Sequence, residues 1–338
     1  MAIIGIESLI YGVDDVAVCT KFFEDFGLPL ISCTDTVTTF QLEEGSRVVL
    51  RRREDPSLPK SAVEGTGVRE VVWGVDFPEN LESLAADLGR DRELKRDPDG
   101  TAHFLTDCGL PFALRVFHKR AVVTAPDPLN SPNAINRLNR HRRWRLRAHP
   151  KVLNHVVFNV LDFEKSFRFV RDRLKFRASD MQRGYGIYAR CDGTNNHHNL
   201  FFINAGLPFP GFDGQVRFNH ANFGVEDVDE VMVGANHMER CGWPKSVFGL
   251  GRHRIDSALF FYLPCPTGGD AEYGADADYI DDAWVPRDWI NPLFGYLTFA
   301  HNMPPFFVDP PSWEVQFHAD FAPQKRSAVA GEKDQKSH

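Results

Sequence analysis

Apolar and polar positions follow the same pattern in two distant stretches. GIESLIYGVDDVAVCTKFFEDFGLPL (5–30) and VLNHVVFNVLDFEKSFRFVRDRLKF (152–176) each run from an apolar strand to Asp, then an amphipathic helix and a Leu-containing exit. In the second copy Asp162 is placed to cap the helix, with Phe163, Phe167, Val170 and Leu174 behind it at helical spacing. A shorter match pairs VREVVWGVD (68–76) with FNHANFGVED (218–227), and each again precedes a helical pattern. Strand-like stretches follow every unit, among them TVTTFQLEEGSRVVLRR, GTAHFLTDCGLPFALRVF, YGIYAR and SALFFYL. The pattern predicts an α+β chain of four βαβββ modules, paired within each half.

The halves meet at APDPLNSPNAINRLNRHRRWRLRAHP (125–150), first rich in Pro and Asn, then strongly basic. The expected division is residues 1–135, a linker over 136–150, residues 151–300, and an extension over 301–338. The last stretch, APQKRSAVAGEKDQKSH, is polar and reads as a loose tail. The arginine run reads as a solvated linker or a short surface helix. With a net charge of -7 there is no global attraction to nucleic acid.

A third pattern is TNNHHNLFFI (194–203), two histidines opening an apolar run. If the run is a strand, alternation puts His198, Leu200 and Phe202 on one face and His197, Asn199 and Phe201 on the other. At most one histidine then faces a buried site, and the other is left as support or surface. Asn195, Asn196 and Asn199 suit turn and edge hydrogen bonds.

Composition narrows the setting. At 338 residues, 43% hydrophobic and 25% charged, the chain is long enough for about two ordinary domains and lacks a membrane-length apolar run. Its start shows no basic region or cleavage-type site of a secretory signal. Six cysteines stand far apart with no CxxC pair, which suits reduced thiols in a cytoplasm. The 28 Phe offer aromatic surface enough to line a pocket for a flat ligand.

Aligning the repeats exposes a chemical asymmetry. His155 stands seven residues before Asp162, where the first half has Ser8 before Asp15. His220 replaces Glu70, and Glu272 has only Ala113 or Leu114 opposite it. A shared scaffold does not require histidine at these positions. A lone strand histidine is more often a satisfied core or surface residue, but three such differences together are not. Two imidazoles and one carboxylate form a facial triad able to hold Fe(II) or a similar divalent ion with positions left open.

LNHVVFNVLD, HHNLFFI, FNHANFGVED and GRHRIDSALFFYLPCPTGGDAEYG make the C-terminal half resemble the type I extradiol, ring-cleaving catechol dioxygenases of the vicinal oxygen chelate superfamily. That resemblance implies two domains, each an incompletely closed, barrel-like mixed sheet, with metal ligands in the second only. It implies His155, His220 and Glu272 as ligands to iron, with manganese second, and His198 as the acid–base residue. His253, nine residues before Tyr262, which in turn precedes Glu272 by ten, matches the family's active-site spacing. The implied substrates are a catechol and O2, with no nucleic acid or membrane partner, in a homo-oligomeric cytoplasmic enzyme of aromatic degradation.

Candidates for the ring pocket are Phe202, Asn222, Phe223, Trp243 and Phe248. The family's Asp-Pro-Ser-Gly turn reads Pro-Cys-Pro-Thr-Gly here, and Cys265 within it reads as a small packing residue. A keto-acid dioxygenase of the same fold shares the triad but does not call for His198, His253 and Tyr262 together. A glyoxalase-type isomerase would draw different ligands from both modules of a pair. A ligand-binding protein needs the concave sheet but no metal.

Overall fold

The computed structural model describes residues 2–290, 295–303 and 315–317. The first module runs β1 (Ile3–Val13), α1 (Val16–Phe26), β2 (Leu30–Cys33), β3 (Val37–Gln41) and β4 (Arg47–Arg52). The second runs β5 (Gly67–Val75), α2 (Pro78–Leu88), β6 (Lys95–Arg96), β7 (Ala102–Leu105) and β8 (Pro111–Val116). The third is β9 (Val152–Val160), α3 (Phe163–Leu174), β10 (Arg177–Gln182), β11 (Gly186–Arg190) and β12 (Leu200–Asn204). The fourth is β13 (Arg217–Gly224), α4 (Val228–Arg240), β14 (Gly251–His253), β15 (Leu259–Pro264) and β16 (Asp270–Ala275). Each is βαβββ, as the sequence pattern predicts.

Modules one and two build an eight-stranded sheet in the order β2-β3-β4-β1-β5-β8-β7-β6. Modules three and four build the equivalent sheet, β14-β15-β16-β13-β9-β12-β11-β10. Three further strands widen it to eleven. β17 (Arg287–Trp289) and β19 (Val315–Phe317) extend the β10 edge, and β18 (Leu297–Ala300) extends the β14 edge. Both sheets are mixed and open, with an antiparallel pair at the centre, β1 with β5 and β9 with β13.

Local chemistry fixes the helices. Asp15, Asp162 and Asp227 accept hydrogen bonds from the backbone N–H three residues on, at 3.0, 2.8 and 3.0 Å, each capping an N-terminus. α2 has no side-chain cap and begins on proline instead. Gly27 ends α1 at φ 100°, and a Cβ there would meet the Ala148 carbonyl oxygen at 2.1 Å. Only glycine fits both the left-handed turn and that approach.

One apolar core spans both halves. Tyr11 meets Phe218 edge-on at 5.4 Å, and Phe26 stacks on Tyr273 at 4.0 Å. Each Phe so buried contributes about 1.5–3 kcal/mol. The basic segment differs from expectation. It forms no helix, and its arginines are not simply solvated: Arg143 and Arg145 reach Glu226 at 2.8 Å, Arg142 pairs with Asp229, and Arg140 reaches Asp127 at 3.1 Å. Glu226, Asp227 and Asp229 gather at the N-terminus of α4 and supply the carboxylates that anchor the segment's arginines. The polar tail lies outside the described residues.

Candidate metal centre

Three adjacent strands carry the expected ligand set. β13 pairs with β9 on one side and β16 on the other, so that Asn222 lies opposite both His155 and Glu272. His220 stands two residues earlier on β13 and shares that face. The β15–β16 turn delivers Glu272: Gly268 and Gly269 have φ of 91° and 59°, and Cβ atoms there would strike Thr66 and Asn219. The changed turn residues therefore still bring β16 close to β13. Cys265 lies in that turn, partly buried against the core, with Sγ 3.0 Å from the Thr267 hydroxyl.

His155 Nε2 and His220 Nε2 are 3.3 Å apart, and Glu272 Oε2 is 3.4 and 3.5 Å from them. Three donors bonded at about 2.1 Å to one divalent ion lie about 3.0–3.4 Å apart, so the triangle fits. All three residues are buried, and Glu272 Oε2 has no hydrogen-bond partner. A buried carboxylate oxygen without a partner is costly unless a cation faces it. His220 Nδ1 lies 2.7 Å from Asn219 Oδ1, and Asn219 Nδ2 donates to Asn159 at 3.0 Å. That arrangement puts the ring proton on Nδ1 and turns the Nε2 lone pair into the triangle.

The electrostatics agree with a neutral His220 beside a charged carboxylate. Burial pushes the His220 pKa down to about 3, although Glu272 opposes it. Burial would raise the Glu272 pKa, but the His155, His253 and His220 rings hold it well below the ordinary range. His253 goes the other way: burial disfavours its charge, yet Glu272 and Asp256 raise its pKa.

His198 stacks on His155 with ring centroids 4.0 Å apart. Its pKa lies well below the ordinary value, from burial first and then from neighbouring imidazoles. His253 Nε2 is 3.1 Å from the Tyr262 hydroxyl and 3.9 Å from Glu272 Oε1, while its Nδ1 donates to the Tyr296 carbonyl at 2.9 Å. All six chemically singled-out residues thus line one cavity of about 320 Å³.

The histidine doublet differs from expectation in one respect. Residues 197–199 precede β12 and are not extended strand, so alternation does not separate the two rings. His197 is buried, not surface. It places Nδ1 3.1 Å from His198 Nδ1 and Nε2 3.0 Å from Asp180, which also pairs with Arg287. Asn199 pins this loop by accepting from Cys191 and Thr194 and donating to the Asn154 carbonyl. His197, His198 and Asp256 also gather potential donor atoms, but two of those nitrogens face each other.

The pocket candidates separate. Phe248 lines the cavity. Phe202 and Phe223 do not: both are fully buried in the main core, Phe223 against Phe23 and Phe26. Trp243 is turned by Gly242 (φ 86°) onto α1, where it packs on Phe22 and donates to Asp25. Asn222 lines a second cavity of about 230 Å³ behind the triad, which shares His155, His198 and Asp256 with the first. The wall opposite the triad is instead Phe201, stacked on Tyr188 at 3.8 Å, with Ile203 and Ile255.

Asp256 and Asp270 also line the cavity and were missed in the sequence. Burial, aided by Glu272, raises the Asp270 pKa to about 6. Its position two residues before Glu272 on one strand was the available signal.

No protein-family model matches the chain. An iron-dependent extradiol dioxygenase of Rhodococcus jostii is 35% identical over 149 residues, 40% of this chain and 47% of that protein. A biphenyl-2,3-diol 1,2-dioxygenase of Paraburkholderia xenovorans is 26% identical over 289 residues, 81% of this chain and 88% of that protein. The chain resembles type I extradiol dioxygenases. The chain spans about half the length of the curated relatives it matches at the higher identities. Among solved structures, a Mn(II)-bound glyoxalase from Novosphingobium aromaticivorans superposes with a TM-score of 0.68 at 19% identity, covering 92% of this chain and 96% of that one. The fold is therefore that of the vicinal oxygen chelate proteins, extradiol dioxygenases included. No helix among the described residues is long and apolar enough to cross a membrane.

Proposed function

We propose that the protein cleaves a catecholic ring beside its two hydroxyls, inserting both atoms of O2, with Fe(II) preferred to Mn(II). The observation that carries this reading is the buried His155–His220–Glu272 triangle, roofed by His198 and flanked by His253 and Tyr262. His155, His220 and Glu272 would hold the divalent ion, which would supply the electron transfer between the aromatic ring and O2 that side chains cannot.

The chain's own groups do the rest. The aromatic wall of Phe201, Tyr188 and Phe248 excludes water and orients the ring. Tyr262 and His253 hold a substrate oxygen, with His253 fixed by the Tyr296 carbonyl. His198 is kept neutral, and its Nδ1 is engaged by His197, so Nε2 is the atom that accepts a proton and returns it as the O–O bond opens. We read residues 1–135 as a domain without ligands, 136–150 as the link, 151–300 as the catalytic domain and 301–338 as its extension, in a cytoplasmic homo-oligomer.

Anaerobic reconstitution with Fe(II), followed by O2 uptake over a panel of catechols, tests the proposal. The expected result is one O2 consumed per catechol and a yellow ring-opened product. Uptake with aromatic keto acids and none with catechols would favour the keto-acid reading. A chain that binds no divalent ion would exclude both.

A further inference from the structure

A second group of ligand-type side chains lies outside the reaction cavity, where α1 of the first module meets α4 of the fourth. Asp25 comes from α1. His237 and Cys241 stand four apart at the end of α4, and therefore on one face. One donor atom from each lies within 4.8 Å of the other two, and Cys241 Sγ is 3.6 Å from His237 Nε2. Asp25 is buried and oriented, because the Trp243 indole N–H donates to its Oδ2 at 2.9 Å. Its other oxygen is paired with Lys21, whose side chain is 62% exposed, and a bound cation would displace that ammonium.

We propose that Asp25, His237 and Cys241 bind a zinc-class divalent cation that ties the two halves of the chain together. A thiolate, an imidazole and a carboxylate are the ligand types that zinc selects, with water as the fourth ligand. Cys241 Sγ, exposed at the helix end, is already at 3.6 Å from His237 Nε2, a spacing that a shared ion would keep. A nucleophilic thiol is the competing reading, but it needs a lowered pKa. Burial and the Asp25 charge act in the opposite direction on Cys241, and a cation is what would reconcile thiolate with carboxylate. The consequence is mechanical: α1 carries Phe22 and Phe26, which pack on Trp243 and on Tyr273, the residue after Glu272.

Co2+ titration of the reduced full-length chain tests this, because only a cysteine ligand gives thiolate-to-cobalt charge-transfer absorption in the near ultraviolet. The absorption is expected in the wild type and in His155→Ala, which removes the competing triad. It is expected to be lost in Cys241→Ser and in His237→Ala. Zn2+ should also raise the unfolding temperature of His155→Ala but not that of His155→Ala combined with Cys241→Ser, while Cys241→Ser alone keeps catechol-dependent O2 uptake. No charge-transfer absorption in the wild type, absorption that survives Cys241→Ser, or an equal zinc shift with and without Cys241 would each overturn the proposal.

Discussion

In the first half Ser8 of β1 lies opposite Val72 of β5, whose neighbour on the far side is Ala113 of β8. In the second, His155 lies opposite Asn222, whose far neighbour is Glu272. Two residues before Val72 stands Glu70, where the second half has His220. The backbones are the same to the register, and the side chains are opposite in kind. Glu70 is met by His103 at 2.8 Å, and Asp97 lies 3.1 Å from the other nitrogen of that ring. Nearby, Glu7 takes Ser8 and Arg47. Glu70 and Glu7 are thus paired, whereas Glu272 Oε2 has no hydrogen-bond donor. A buried polar atom without a partner is destabilising by about 1–3 kcal/mol, and at Glu272 Oε2, unlike at Glu70, a divalent ion would remove that cost.

The largest test sets ligands against counterparts. His155→Ala should lose bound iron and O2 uptake, with iron affinity falling by more than the about 10–100-fold that outer partners alone command. Glu70→Gln and Ser8→Ala should keep one iron per chain by elemental analysis. Metal loss in Glu70→Gln would break the contrast between the halves.

Next comes the doublet. His198→Ala should keep metal while turnover falls about 10²–10⁴-fold. His197→Ala should keep metal and lose less, through misplacement of His198, which a steady-state rate with metal content measured alongside resolves. Metal lost from His198→Ala, with His197→Ala losing turnover alone, would reverse their roles.

A smaller effect separates two neighbours on β12. Phe202→Ala should cost about 3–5 kcal/mol of stability, because the ring is wholly in the core. Phe201, buried in a smaller core cluster, also walls the cavity, so KM should rise in Phe201→Ala and stay unchanged in Phe202→Ala. An unchanged KM in Phe201→Ala would mean that its ring serves the core alone.

These neighbours show why some of the site was legible and some was not. His155, His220 and Glu272 stand out in the sequence because each has an internal counterpart that lacks the chemistry, and the module spacing carries them onto adjacent strands. Phe202 was placed by parity from His198, and parity fails when the residues between are not strand: a slip of one position exchanges the two faces. The loop over 191–199 is set by Asn199 and by contacts with Asn154, which lies far off in sequence. Likewise Trp243 and Phe223 read as pocket aromatics until the packing of α1 against α4 and β13 claims them. Contacts between the halves leave no periodic trace along the chain.

The smallest effect is a difference of sign in acid and base. In the metal-free chain the Glu70 hydrogen bond raises the His103 pKa above its ordinary 6.5 despite burial. The folded state then holds the extra proton, so this pair stabilises the fold fully below about pH 6.5 and its contribution disappears as pH rises through the raised value. His220 is the reverse. Its folded pKa is about 3, so between that value and 6.5 the unfolded chain binds more protons. Its contribution is full above about pH 6.5 and is lost as pH falls toward 3. Ring resonances followed by NMR should show His103 titrating above 6.5 and His220 remaining neutral through mildly acid solution. Glu70→Gln should lower the His103 pKa, leaving only Asp97 to raise it, and should leave His220 unmoved, since the two rings belong to separate sheets. A common midpoint for both rings would mean that the two equivalent positions share one environment, and the asymmetry between the halves would then be of composition alone.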